Sequence, residues 1–192
     1  MQDNIIVCIV GMPGAGKSIL SDELVGRGFS YLRFGQAILD RVKQEGLEIN
    51  ENNERMIRER IRKEHGMAAL AILNTPKIDE LIINSNLVVD GLYSWSEYKV
   101  LKDRYQDKMY VVAVYAPPAV RYSRLKDRTV KGDKEARFRS YTEEEARKRD
   151  YAEIENIEKG GPIAMADFTI INIRSIDDFK RELNSIFLEI KK

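Results

Sequence analysis

Sulfur and imidazole are scarce in this sequence: one cysteine, Cys8, and one histidine, His65, occur among 192 residues. A lone thiol excludes an intramolecular disulfide, and one thiol with one imidazole cannot furnish the ligands of a structural zinc site. A reducing compartment is the expectation. Charge of either sign is not in excess, since 32 Lys and Arg stand against 31 Asp and Glu for a formal net charge of +1. No molecule-wide field gathers nucleic acid or anionic lipid, and neither is an expected partner. Long apolar runs are missing too, so no membrane span is expected. Met1-Gln2-Asp3-Asn4 leads straight into Ile5-Ile6-Val7 without the basic and apolar regions of a leader. Cytoplasmic residence follows as the default expectation. With only 5 Pro and 12 Gly in a chain that is 43% hydrophobic and 33% charged, disordered and collagen-like classes fall away and a single globular domain remains. No pattern in the chain speaks to oligomeric state.

What is present alternates. Ile5 to Val10 is a short β-branched run closed by glycine, the signature of a strand buried on both faces of a parallel sheet, and Cys8 within it reads as a small buried hydrophobe. Ile19, Leu20 and Leu24 place a helix from Lys17 to about Arg27, and Phe29–Phe34 is a second strand. A charge-rich region follows. Ala37, Ile38 and Val42 have helical spacing, and another helix from about Asn52 carries Met56, Ile57 and Ile61 among Arg55, Arg58, Arg60, Arg62 and Lys63, which read as a solvated face partnered by Glu54, Glu59 and Glu64. Asn74-Thr75-Pro76 is expected to break that pattern and start a new helix, with Pro76 in its first turn. Leu87–Gly91, Met109–Tyr115 and Phe168–Ile171 are three further strands, and Ser94–Glu97 and Thr142–Glu145 have the spacing of capping boxes. Val120–Arg128 and the Phe179, Leu183, Ile186, Phe187, Ile190 series are helices. Strand–helix alternation predicts an α/β domain with a five-stranded, mostly parallel sheet whose ligands gather at the C-terminal strand ends.

One segment carries specific chemistry. Gly11, Met12, Pro13, Gly14, Ala15, Gly16, Lys17 and Ser18 fit G-x-x-x-x-G-K-[ST] in full, after a buried strand and at the start of a helix. Its glycines let successive N–H groups turn inward around a phosphate, Lys17 reaches the β- and γ-phosphates, and the Ser18 hydroxyl ligates Mg²⁺. Asp90, ending an apolar strand, suits the Mg²⁺ shell. ATP and Mg²⁺ are the expected cofactors, and small-molecule nucleotides the expected partners. Gly91 stands where hydrolytic motors of this class place a glutamate, and no Asn-Lys-x-Asp motif occurs; both facts point away from a motor or a GTPase switch. Arg121 to Asp150 is dense in cations, and its polar centre Thr129–Ser140 reads as a loop of a lid that closes on phosphates and excludes water.

On these residues, together with Arg124–Arg128, Glu145–Asp150 and Ala166–Asn172, the chain resembles the nucleoside monophosphate kinase group of P-loop kinases, in particular archaeal-type proteins related to adenylate kinase, with a further likeness to dephospho-coenzyme A kinase. The resemblance implies a P-loop NTPase three-layer fold with a helical acceptor-binding insertion at about 35–74, a lid at about 121–150 and a core of 1–34, 86–128 and 160–192. It also implies that Arg124 lies against the donor adenine, that Arg128 and either Arg147 or Arg149 clamp the phosphates, and that the segment after Asn172 borders the adenine. The acceptor side departs from the family. The arginines that hold the monophosphate, one four residues after the glycine that follows the second strand and one four residues beyond the Asp of Asp-Gly, are replaced by Leu39 and Ser94, leaving Arg33 and Arg41 as the nearest candidates. The aspartate of dephospho-coenzyme A kinases is equally absent from Arg33-Phe34-Gly35-Gln36. The expected activity is transfer of the γ-phosphoryl of ATP·Mg²⁺ to a small acceptor, a nucleoside monophosphate or else dephospho-coenzyme A, with an ATP-binding regulator lacking an acceptor as the reading from another class.

Overall fold

In the computed structural model, which describes residues 4–127 and 140–190, helical crossovers return the chain to the same end of one sheet four times. The strands are β1 (Ile6–Val10), β2 (Ser30–Arg33), β3 (Leu87–Asp90), β4 (Met109–Tyr115) and β5 (Phe168–Ile171), in the order β2-β3-β1-β4-β5. Every pairing is parallel. The helices are α1 (Lys17–Gly26), α2 (Gln36–Gln44), α3 (Glu51–His65), α4 (Ala69–Ile82), α5 (Trp95–Tyr105), α6 (Pro118–Lys126), α7 (Glu143–Ile157), α8 (Gly160–Ala164) and α9 (Ile176–Ile190).

Alternation along each strand divides the core in two. Ile6, Cys8 and Val10 pack with Leu87, Val89 and Val111 under α2 to α5, whereas Val7 and Ile9 pack with Val88, Val112 and Val114 under Leu20, Leu24, Phe179 and Leu183 of α1 and α9. Three layers result, as the sequence leads one to expect. Cys8 is fully enclosed, and burial pushes its thiol up to about 12, with Lys102 opposing and Asp167 adding to the rise, so it serves as a small hydrophobe. The register sets Ile9 beside Asp90 and Arg33 beside Asp90 across β1, β3 and β2, which brings the loop after β1 and the ends of β2 and β3 to one edge. No helix among the described residues is long and apolar enough to cross a membrane.

The helix expected to start at Asn74–Pro76 starts instead at Ala69 and carries Pro76 in its interior. Burial overrides the proline, because Ala69, Leu70, Ala71, Asn74 and Ile78 form one face against the core. Side chains just before the proline stitch the same stretch: Thr75 Oγ1 donates to the Ala71 carbonyl at 2.7 Å, and Asn74 Nδ2 donates to the carbonyls of Leu70 at 2.8 Å and Phe34 at 3.0 Å. The short helix α8, Gly-Gly-Pro at its start, has no apolar period and went unpredicted.

Arg121, counted among the cations of the expected lid, is instead structural. It is 4% exposed, pairs with Asp150 through two nitrogens at 2.9 and 2.5 Å, and donates to the carbonyls of Ala116 and Pro13. That pair ties α6 to α7 and both to the loop after β1. Arg128 and residues 129–139 of the expected loop lie outside the described residues.

Candidate functional site

The segment Gly11–Gly16 leaves β1 at its C-terminal end and turns directly into α1. All three of its glycines, Gly11, Gly14 and Gly16, are dictated by crowding as well as by backbone angle. A Cβ on Gly14 (φ +78°) would stand 2.7 Å from the Arg121 carbonyl oxygen, and one on Gly16 (φ +103°) 2.1 Å from Asn172 Nδ2. The loop is therefore pressed between α6 and the residue following β5, where Asn172 Nδ2 also donates to the Ala15 carbonyl at 2.8 Å. Gly16 caps α1 without a side-chain hydrogen bond. The first N–H groups of α1 are left for an anion at the positive end of the helix, an arrangement that binds phosphate.

Lys17 curls over this loop, its Nζ donating to the carbonyls of Gly11 at 2.9 Å and Met12 at 3.2 Å. The residue keeps some exposed surface, but protein surrounds the ammonium: burial pulls it down to about 7, Lys159 and then Arg149 add repulsion, and Asp90 and Glu153 oppose them. A bound polyphosphate supplies the negative charge that reverses this shift. Asp90 accepts from the Tyr31 hydroxyl at 3.1 Å at the end of β3. Among the described residues no cluster of three or more His, Cys, Asp or Glu is placed to hold a metal ion. A hydroxyl from Ser18 and a carboxylate from Asp90 nevertheless suit Mg²⁺, a hard ion that completes its shell with water and phosphate oxygens.

Of the other sequence-derived candidates, Arg124 and Asn172 are brought together beside the loop, Arg124 Nη2 donating to the Asn172 carbonyl at 3.0 Å while its Nη1 is buried and, among the described residues, without a partner. Arg149 is half-buried, bonded to Glu153 at 3.0 Å and to the Tyr141 hydroxyl, and close enough to Lys17 to repel it, whereas Arg147 is exposed. Arg33 ends β2 beside Asp90. Arg41 is half exposed and bonded to Glu45 on its own helix, a carboxylate that Arg60 shares, and it is not gathered with Lys17 and Asp90.

Several residues here escaped the sequence reading. Lys159, 1% exposed, pairs with Glu153 and stands 5.0 Å over the ring of Tyr93. Glu153 bridges Lys159 and Arg149; burial alone would raise its carboxyl, but the two cations hold it down at about 2. Tyr93 lies against the turns at Gly35 and Gly91, within electrostatic reach of Arg149, Asp90, Glu153 and Arg58. Arg58 and Arg62 are half-buried, so the arginine series of α3 is not wholly a solvated face. Helical period offered a signal for them, since Ile57 and Ile61 mark the inner face, but Met56, which is exposed, rotated the sequence reading. Lys159 has no local signal.

A match to the AAA domain family spans residues 7–156. The chain is 34% identical over 187 residues to a UPF0200 protein of Thermococcus gammatolerans, covering 96% of this chain and 95% of that one, and 32% identical over 180 residues to a UPF0200 protein of Hyperthermus butylicus, covering 93% and 90%. Among solved structures it is similar to a shikimate kinase from Bacteroides thetaiotaomicron (TM-score 0.59, 12% identity, 98% of this chain and 99% of that chain) and to a gluconokinase from Sinorhizobium meliloti 1021 (TM-score 0.53, 14% identity, 98% and 99%). These structural likenesses show a shared three-layer α/β fold.

Proposed function

The chain belongs to the AAA domain family and to the UPF0200 proteins, and from that premise we propose that it is an ATP-dependent phosphotransferase, passing the γ-phosphoryl of ATP·Mg²⁺ to a small acceptor, of which nucleoside monophosphates are the leading class. The observation that carries this reading is the convergence of Lys17, Asp90 and Arg149 at one strand edge from three separate segments. A helix cap and a turn need no such convergence. In this reading the N–H groups of residues 14 and 16–18 hold the β-phosphate, Lys17 follows the γ-phosphoryl, and Arg149 faces the charge that spreads over the transferring oxygens. Arg124 and Asn172 border the donor base. Ser18 and Asp90 would hold Mg²⁺, which would neutralise phosphate charge. The helices of about 35–74 enclose the acceptor, with Arg33 at their entrance.

Transfer of label from [γ-³²P]ATP tests the reading. Incubation with AMP, CMP, GMP, UMP or dephospho-coenzyme A should move label to at least one of them at a rate that rises with acceptor concentration. Slow hydrolysis indifferent to every acceptor overturns the phosphotransferase reading in favour of an ATP-binding regulator. Label on dephospho-coenzyme A alone transfers the activity to a hydroxyl acceptor.

A further inference from the structure

On the phosphotransferase reading above, the acceptor approaches β3 from the side of α2 to α4, since the phosphate loop and α1 take the donor. On that side α3 turns Glu54, Ile57, Arg58, Ile61 and Arg62 inward and leaves Arg55 and Glu59 in solvent. Ile57 and Ile61 anchor the helix in the core. Arg62 stands beside them with its Nε buried and, among the described residues, without a hydrogen-bond partner. Its guanidinium is within electrostatic reach of Glu97, Arg58, Tyr93 and Glu153, which come from α5, α3, the segment after β3, and α7. It therefore faces the gap those elements share.

Glu97 is the obvious partner, yet it does not complete Arg62. Its Oε2 accepts from the N–H groups of Tyr93 at 3.1 Å and Ser94 at 2.8 Å as part of the capping box that starts α5, and its Oε1 is buried and, among the described residues, without a partner. Burial lifts its carboxyl above the ordinary range, which weakens it as a counter-charge. Lys159, over the Tyr93 ring, and Arg149 add two more cations, with Glu153 as their shared anion. Arg58, Arg62, Arg149 and Lys159 thus stand around Tyr93 with three carboxylates in reach, Asp90, Glu97 and Glu153. A buried guanidinium N–H with no acceptor is an exception that folded proteins rarely keep, unless a ligand completes it.

We propose that Arg62, with Arg58 one turn before it, forms the oxyanion-binding subsite for the acceptor, taking the place of the arginines missing at Leu39 and Ser94, and that the acceptor carries a phosphate or carboxylate which docks on α3 beside Tyr93. The pair lies on a different element from either missing position. A neutral acceptor would leave Arg62 unsatisfied.

The test titrates protein saturated with the nonhydrolysable analogue Mg·AMP-PNP with AMP, CMP, GMP and UMP, with their parent nucleosides, and with gluconate as a carboxylate. At least one anionic probe should bind, and its uncharged counterpart at least tenfold more weakly. Phosphate and carboxylate sources are told apart by which probe binds. Arg62→Gln should weaken that probe at least tenfold with Mg·AMP-PNP affinity held within twofold, Arg62→Lys should recover part of the loss, and Arg55→Gln, on the outer face, should change neither. Should Arg62→Gln melt early, Arg58→Gln is read against the same tenfold criterion. Unchanged probe affinity in the Arg62 and Arg58 variants overturns the proposal, as does nucleoside binding as tight as monophosphate binding, or binding of no anionic probe. In those outcomes intact AMP-PNP binding leaves the donor site standing, whereas failure of the wild type to bind AMP-PNP brings down both readings.

Discussion

The phosphate loop and the cationic gap beside Tyr93 are made of different material. Between β1 and α1 the groups offered are main-chain N–H groups, fixed in place by three glycines that leave no room for a Cβ and by the amide of Asn172. Around Tyr93 the groups are the ends of long side chains, Arg58 and Arg62 of α3, Arg149 of α7 and Lys159 of the turn before α8, with Glu153 and Glu97 beside them. A backbone cradle is rigid and recognises what every nucleotide shares. A side-chain site exchanges one cation for another without disturbing the fold.

The largest effect that sharpens this contrast is expected at Lys17, the long side chain that reaches back over the loop. Lys17→Ala should lower turnover by about 10³-fold or more while the thermal midpoint moves little, because a part-exposed lysine at the start of α1 contributes little packing; steady-state rates and a melting curve on the same preparation decide it. Gly16→Ala comes next. A single methyl group must displace Asn172 and hold a left-handed backbone, so nucleotide affinity should fall at least about tenfold and stability by roughly 1–3 kcal/mol. Titration with a fluorescent ADP and denaturant unfolding measure the two. An alanine variant that binds like the wild type would show the cradle to be softer than its crowding indicates.

The remaining effect lies on the side-chain half and depends on pH. Glu153 is held at about 2, below the ordinary 4.5 of a glutamate, so its charged form stabilises the fold above about pH 4.5, and that contribution is lost as pH falls through the folded value. Its size is on the order of 3 kcal/mol. In Glu153→Gln this component is absent, and the stability gap between variant and wild type should close steadily from pH 5 toward pH 3 in urea unfolding. A gap that stays constant over that interval would mean that Glu153 is not held by Lys159 and Arg149.

The difference in material also explains what could be read in the sequence. The loop is eight consecutive residues behind a buried strand, and the strands are continuous apolar runs because parallel strands are covered on both faces, so motif, sheet and layers were all legible. Asp90 was marked by ending such a run. Both capping boxes, Ser94–Glu97 and Thr142–Glu145, formed as their spacing predicts. The side-chain site was not legible, because Arg62, Tyr93, Arg149 and Lys159 become neighbours only through the packing of α3, α5 and α7. Pro76 misled for a related reason: local propensity says stop, and the burial of Leu70, Ala71 and Ile78 on one helical face outweighs it. Arg121 was one cation in a dense run until Asp150, 29 residues away, came to lie beside it.

The amide of Asn172 has a further consequence for how the protein is made. The residues that recognise phosphate are translated first, at positions 11–18, but the side chain that holds their loop in shape belongs to residue 172, which leaves the ribosome last among the groups of this site. While the nascent chain still lacks β5, the loop has its glycines and its helix but no latch. On the phosphotransferase reading, ATP in the surrounding solution should therefore find little to grip until β5 has been made, and nucleotide capture becomes a late event that reports a finished sheet.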